Sequence, residues 1–194
     1  TASDADPAAF PLNTAVLVTK IDAAMAKAGN LGTLSGALAA IKEQASPVLV
    51  VVRVADGEGA DAAAKQTDQD GKTIGTAVGS NYTGMQALLA AQAQLGVKPR
   101  ILGCPGLDTQ AVAVALAVVA KKLRAFAYIS AGTSASKEDA ATYRETFSDR
   151  ELMIIYPDCM AWDTTTSAAA PAFAVARAMG LRAKIDATLG WNKT

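Results

Sequence analysis

The stretch of sequence that decides the fold is PRILGCPGLDTQAVAVALAVVAKKLRAFAYIS, residues 99–130. It opens with a short apolar run, Pro99–Gly103, and closes with a second one, Ala125–Ser130, and both have the length and composition of strands. Between them, apolar residues recur at spacings of four, three and four, the pattern of one helix face: Val112, Leu116, Val119 and Leu123. A helix between two such strands indicates a βαβ crossover, which joins parallel strands.

The same alternation of strands and helices continues on both sides of this unit. The run Pro47–Val54 is apolar almost throughout, which is typical of a strand covered on both faces in a parallel sheet. We therefore predict an α/β fold with a doubly wound, mainly parallel sheet and helices on both faces. The remaining predicted elements are a strand at Ala15–Thr19, helices capped by Asp22 and Ser136, a helix carrying Leu31, Leu34, Leu38 and Ile41, a helix from Met85 to Leu95, a strand at Glu151–Tyr156, and a last helix from about Ser167 to Gly180 or beyond.

Residues 55–80 interrupt the alternation. The segment is polar and glycine-rich and has weak helical periodicity, so we predict a loop or small hairpin inserted at the end of a strand. Residues 1–54 and 81–194 then form one α/β domain. The low apolar content predicts a mobile segment, which either decorates the surface or is a tolerated loop.

The composition excludes several classes of protein. The chain has 18 Lys and Arg and 18 Asp and Glu, so it lacks the positive charge that sequence-independent nucleic-acid binding requires. It contains no histidine, which removes Ser–His–Asp and Cys–His catalysis and histidine-ligated zinc. The longest apolar run, residues 111–120, is about half the length of a membrane span. We expect neither a nucleic-acid nor a membrane partner.

Cys104 and Ser130 are candidate nucleophiles. Cys104 follows a predicted strand and precedes a helix that Asp108 is expected to cap, and a thiol at a helix N-terminus can be activated. The chain has no histidine to act as a base, however, and the charge of Asp108 opposes thiolate formation. Cys104 and Cys159 lack the spacing of a metal site, which leaves a structural role or a disulfide. Ser130 is the alternative nucleophile of a hydrolase.

Two glycine-containing motifs suggest nucleotide binding. Gly57-Glu58-Gly59-Ala60-Asp61-Ala62 has the G-x-G-x-x-A spacing and follows a predicted strand, as in dinucleotide sites. Carboxylates surround its phosphate position, and no second strand ending in an acidic residue follows. Gly71-Lys72-Thr73 resembles the end of a P-loop, but Gln66 replaces the required first glycine. A small nucleotide-binding enzyme that uses Gly57-Glu58-Gly59 is therefore the alternative function.

Acidic and aromatic residues near the predicted strand ends complete the candidates. Asp158 and Asp163 could form an acid/base or metal pair, although helix caps or ion pairs explain them more simply. Tyr128, Tyr156 and Trp162 are typical of a core or an interface, and Arg124 and Arg150 are possible interface residues. No set of these residues supplies a nucleophile, a base and an oxyanion site together. We therefore assign no catalytic, cofactor-binding or metal-binding residue, and predict that the chain is not an enzyme.

Several blocks in order along the chain resemble contractile tail sheath proteins of temperate contractile-tailed phages and the related R-type pyocins. The resemblance covers nearly the whole chain. The blocks are Thr1–Asp6, Phe10–Asn13, Lys98–Thr109, Lys122–Ser130, Arg150–Thr164, Arg177–Asp186 and Gly190-Trp191.

The resemblance implies a fold and a function. Sheath proteins contain an α/β portion described as subtilisin-like, and here that term refers to the fold, since the chain lacks the protease histidine. Their subunits stack as six-membered rings around the tail tube, growing from the baseplate in the bacterial cytoplasm. Contraction then drives the tube through a bacterial envelope. The chain resembles the middle portion of these longer proteins, so we expect it alone to be soluble and mainly monomeric, without a cofactor.

Overall fold

The computed structural model describes residues 1–163 and 167–190. Strands and helices alternate along most of this range, as the sequence predicts. The strands are β1 Ala15–Val18, β2 Leu49–Val52, β3 Ala77–Val78, β4 Asn81–Tyr82, β5 Ile101–Gly103, β6 Phe126–Ser130, β7 Leu152–Ile155, β8 Met160–Asp163 and β9 Ala168–Pro171. The helices are α1 Ile21–Met25, α2 Leu34–Lys42, α3 Ala62–Ile74, α4 Ala91–Leu95, α5 Gln110–Leu123, α6 Lys137–Glu145 and α7 Ala174–Leu189, with a 3₁₀ helix at Gly84–Ala90.

A three-stranded parallel sheet in the order β5-β6-β7 forms the centre of the fold. Successive strand residues face opposite sides. Leu102 joins the apolar cluster formed with α5, whereas neighbouring Gly103 lies against Met179 and Val175 of α7. The sheet is therefore covered by α5 on one face and by α7 on the other. The predicted βαβ unit is confirmed, and none of the described helices is long and apolar enough to cross a membrane.

The second part of the fold is a two-stranded antiparallel ribbon of β1 and β2. One of its faces, including Val16, Val18 and Val51, packs with α1 and α2. The other face lies near the 3₁₀ helix. Pro47–Val54 is predicted as a covered strand of a parallel sheet, whereas in this structure β2 pairs antiparallel with β1 and its four residues stay partly exposed. The coarser α/β prediction is confirmed, but the parallel part comprises three strands in the described range.

The polar segment 55–80, predicted to be a loop or small hairpin, differs most from the prediction because it contains a helix. It includes the 13-residue helix α3. The small hairpin β3–β4 follows, and its second strand lies just beyond residue 80. Local polar contacts hold the helix: Asp61 caps it by accepting a hydrogen bond from the Ala64 N–H at 2.7 Å, and Lys72 pairs with Asp68 one turn away. Most residues of this helix are polar, so the sequence offers few apolar positions from which to recognise it.

Three predicted helix starts also differ. The α1 helix begins at Ile21, so Asp22 lies in its first turn, and Thr109, rather than Asp108, caps α5. The predicted start of the last helix at Ser167 is wrong, because β8 and β9 form a hairpin and α7 begins at Ala174. The capping box of Ser136 at α6 is confirmed.

A close packing arrangement fixes the start of α7. The Phe173 ring lies between two glycines, and a Cβ atom would come within 2.6 Å of it at Gly36 and within 2.7 Å at Gly106. Further along, Gly180 lets α7 approach the Ile41 carbonyl of α2. The close approach of α2 and α7 joins the ribbon to the parallel sheet.

Candidate functional site

The Gly57–Ala62 loop lies against α3 and donates its N–H groups to that helix. The Gly57 N–H donates to Gln69 Oε1 at 2.8 Å, and the Glu58 N–H donates to Asp68 Oδ2 at 2.8 Å. A Cβ at Gly57 would lie 2.3 Å from the Lys65 carbonyl oxygen, so the glycine serves close packing on α3. The N–H groups that would bind a phosphate are taken by a carboxylate and an amide. The geometry gives no support to nucleotide binding here.

The P-loop-like residues Gly71-Lys72-Thr73 lie in the last turns of α3, not in a loop. Lys72 Nζ is 2.7 Å from Asp68 Oδ2 and donates to the Asp56 carbonyl oxygen at 2.8 Å. Thr73 is buried, and its hydroxyl accepts from Gln69 Nε2 at 3.3 Å. These groups hold the segment together and do not form a phosphate cradle.

Cys104 is a poor nucleophile in this environment. Burial raises the pKa of its thiol to about 12, and the charge of nearby Asp108 adds to the rise. Asp108 is itself buried, and its carboxylate accepts a hydrogen bond from the Ser130 N–H, so it connects the start of α5 to the end of β6. Burial raises the pKa of Asp108 as well. Both cysteines are free thiols, so the alternative of a disulfide is wrong in this structure.

Ser130, the other candidate nucleophile, lies at the carboxyl end of β6. Its hydroxyl oxygen accepts from the Gly132 N–H at 3.3 Å, a turn contact at the strand end. The Asp108 carboxylate accepts from the Ser130 backbone N–H, and a hydrogen bond with the Ser130 side chain also counteracts the rise of the Asp108 pKa. The contacts are those of a strand–turn junction, and the chain has no histidine to act as a base on the hydroxyl.

Asp158 has a structural role at the start of α7. Its Oδ1 accepts hydrogen bonds from the Cys159 N–H and the Ala174 N–H, each at 2.9 Å. The side chain of its proposed partner, Asp163, lies outside the described residues. Within the described part of the chain, no group of three or more acidic or cysteine side chains is placed to hold a metal ion.

The interface candidates are distributed over different surfaces. Arg124 ends α5 in a left-handed conformation, and Arg150 pairs with Glu151 at 2.9 Å. Trp162 is 68% exposed on the β8–β9 hairpin, beside the similarly exposed Met160. Of the two tyrosine candidates, Tyr128 is buried and Tyr156 is exposed. These residues do not converge on one site.

The structure instead contains a groove that no single motif indicates. It has a volume of about 590 Å³ and lies between the β1–β2 ribbon and the parallel sheet. One wall is formed by β2 with its flanking residues, and the other by the stretch that includes β5. Every residue from Pro47 to Val54 and every residue from Val97 to Pro105 lines the groove.

Apolar side chains cover the groove from both helix layers. On one side lie Leu38 and Ile41 of α2 and Met179 of α7, and on the other lie Met85 and Leu88 of the 3₁₀ helix. Of the described strands, β1 alone pairs with β2, and β6 alone pairs with β5. The groove therefore lies between two unpaired strand edges with apolar surfaces above and below.

Three charged side chains at the groove, Arg53, Arg100 and Asp186, are engaged by other parts of the chain. Arg53 donates from Nε to the Phe10 carbonyl oxygen at 2.6 Å and from Nη1 to the Ala2 carbonyl oxygen at 2.8 Å. Asp186 pairs with Arg182 at 2.8 Å. A small-molecule site usually has a few polar groups that converge on the ligand. Here the two strand edges supply a row of backbone polar groups, which suit an extended polypeptide.

One sequence signal could have indicated the groove. The continuous apolar run Pro47–Val54 is longer than β2, which spans Leu49–Val52, and Val48 is 56% exposed. An apolar run that remains exposed indicates a missing partner. Sequence alone could not show this, because the same run is typical of a covered strand.

Comparisons with known proteins give a consistent result. Residues 1–54 match the family model for the tail sheath protein Gp18 domain III N-terminal region, and residues 80–194 match the phage tail sheath protein central domain. The tail sheath protein of Escherichia phage P2 is 55% identical over 195 residues, which cover 100% of this chain and 49% of that protein. The major tail sheath protein of Serratia phage KSP20 is 44% identical over 193 residues, with the same coverage. The chain thus spans about half the length of these curated relatives.

Proposed function

The chain belongs to the phage tail sheath family, and we propose that it is the central α/β portion of a contractile tail sheath subunit. The observation that carries this proposal is the 55% identity to the P2 tail sheath protein over the whole chain. A building role agrees with the hydrogen bonds that hold Asp108, Ser130 and Asp158 in local structural contacts, and with the burial that raises the pKa of the Cys104 thiol. We include in the proposal that the chain has no enzymatic activity and needs no cofactor.

The partners in this proposal are other sheath subunits, the tail tube and the baseplate. Heterologous contacts that do not close into a ring propagate as a helical tube. A sheath that binds no energy-supplying ligand can store free energy in the difference between two sets of subunit contacts. Rigid subunits repack such contacts in discrete steps. Contraction of this tube would drive the tail tube through a bacterial envelope. The location is then the virion or a phage-tail-like particle, assembled in the bacterial cytoplasm.

The proposal also extends to the fold and to the isolated chain. We propose that in the whole sheath subunit the strands belong to one doubly wound, mainly parallel sheet. Residues 55–80 form an insertion on the surface of this domain, between the matched regions 1–54 and 80–194. The isolated chain is mainly monomeric, because assembly draws on other parts of the subunit.

The test places this chain in a whole sheath polypeptide. The equivalent region of the P2 tail sheath protein is replaced by these 194 residues, and the hybrid is imaged by negative-stain electron microscopy. We expect tubes like those of the unmodified P2 protein, which serves as the control. A folded hybrid that stays monomeric while the control forms tubes would contradict the sheath role.

A further inference from the structure

The groove between β2 and β5 has the layer arrangement of a sheet from which one strand is absent. The ribbon has α2 on one face and the 3₁₀ helix on the other, and the parallel sheet has α7 and α5 on its two faces. The helices on each side are themselves in contact, α2 with α7 and α5 with the 3₁₀ helix. Two helix layers thus continue across the groove, and the strand layer between them is interrupted.

Resting on the sheath function proposed above, we propose that this groove seats one β-strand from the same sheath polypeptide. The strand comes from the half of the sheath polypeptide that the curated relatives contain beyond the matched region. It pairs with β2 on one edge and β5 on the other, and so joins the ribbon and the parallel sheet into one sheet. Alternate residues of an edge strand direct their N–H and C=O groups away from the paired neighbour, so both walls supply free backbone groups.

The chemistry of the walls defines the strand. Its side chains point alternately towards Ile41 and Met179 on one face and towards Met85 and Leu88 on the other. Both sets are apolar, so the strand is an almost continuous apolar run, as in buried parallel sheets. Its paired length is about four residues, set by the length of β2.

The enclosed position favours a strand from the same polypeptide over one from a neighbouring copy. The groove continues the layers of one domain, and its walls include residues of the core such as Leu38, Ile41 and Leu102. A strand seated there is part of that core. An apolar, unpaired strand edge is otherwise a site of uncontrolled pairing between chains, which natural sheets avoid.

Amide hydrogen exchange tests the proposal, with the isolated chain and the P2 hybrid as the two samples. We expect peptides covering 48–54 and 99–104 to exchange at least about 100-fold more slowly in the dilute, unassembled hybrid than in the isolated chain. Peptides covering β6, which is paired on both edges in this structure, report that each sample is folded. Protection that appears in assembled tubes alone would assign the strand to a second copy, and no added protection in either state would leave the groove open. Both results would overturn the proposal.

Matched variants separate the groove from the general surface. Val48 lines the groove and is 56% exposed, and Val118 is 48% exposed on α5 and does not line it. In the unassembled hybrid, Val48→Lys is expected to abolish most of the added protection of 99–104, while Val118→Lys retains it. The opposite pattern would refute the groove assignment. Tube formation is scored separately. Added amide protection at the groove without tubes would reject only the proposed sheath function. Tubes without added protection would reject only the proposed groove strand.

Discussion

Helices α3 and α5 have 13 and 14 residues and pack against each other, yet different forces hold them. Seven residues of α5 are buried, and its centre lies on the parallel sheet. Thr73 is the buried residue of α3, whose other described contacts are mostly a cap, side-chain hydrogen bonds and ion pairs. The comparison shows that apolar periodicity detects helices that cover a sheet and misses helices held by local polar contacts.

The largest expected effect comes from removing apolar volume in α5. Leu116 is completely buried, so Leu116→Ala should lower the free energy of unfolding by about 3 kcal/mol through lost burial and the cavity left behind. Urea denaturation of the isolated chain measures it. The control, Val118→Ala on the exposed side of the same helix, should cost less than about 1 kcal/mol. Equal losses at the two positions would show that α5 is not held by its buried face.

A smaller effect is expected where the two helices are joined by a hydroxyl. Thr109 caps α5 by accepting from the Val112 N–H, and it donates to Asp70 Oδ2 of α3 at 2.8 Å. Thr109→Ala removes both bonds and should cost about 1–2 kcal/mol in the same denaturation measurement. Thr109→Ser keeps the hydroxyl and should restore most of the loss. If serine is as destabilising as alanine, the link is not made through the hydroxyl.

The smallest effect should have the opposite sign and occur in α3. Gly71 lies inside the helix, and a Cβ there would meet nothing within 4 Å, so Gly71→Ala should raise the free energy of unfolding by about 0.5–1 kcal/mol. Gly180→Ala in α7 is the contrast, because its Cβ would lie 2.8 Å from the Ile41 carbonyl oxygen and should destabilise the fold. Thermal unfolding measures both. Destabilisation by Gly71→Ala would mean that α3 is not helical at that position.

The candidate sites show which conclusions about function can be drawn from residue types alone. The missing histidine excluded the common nucleophilic mechanisms at once. The role of the Gly57–Ala62 motif became clear only from the structure. Its N–H groups donate to Gln69 and Asp68, which lie on a helix that the sequence did not indicate. Asp108 is a similar case, since a residue just before a helix is expected to cap it, whereas here it bonds the Ser130 N–H of the next strand.

The sequence by itself determined the α/β class, the βαβ unit of residues 99–130 and the family resemblance, because these depend on periodicity and residue order along the chain. The tertiary structure alone decided that β2 runs antiparallel to β1, and that its free edge lies across a groove from β5. The physical reason is that an apolar run records how much burial a strand needs. It does not record which strand, in which direction, provides that burial.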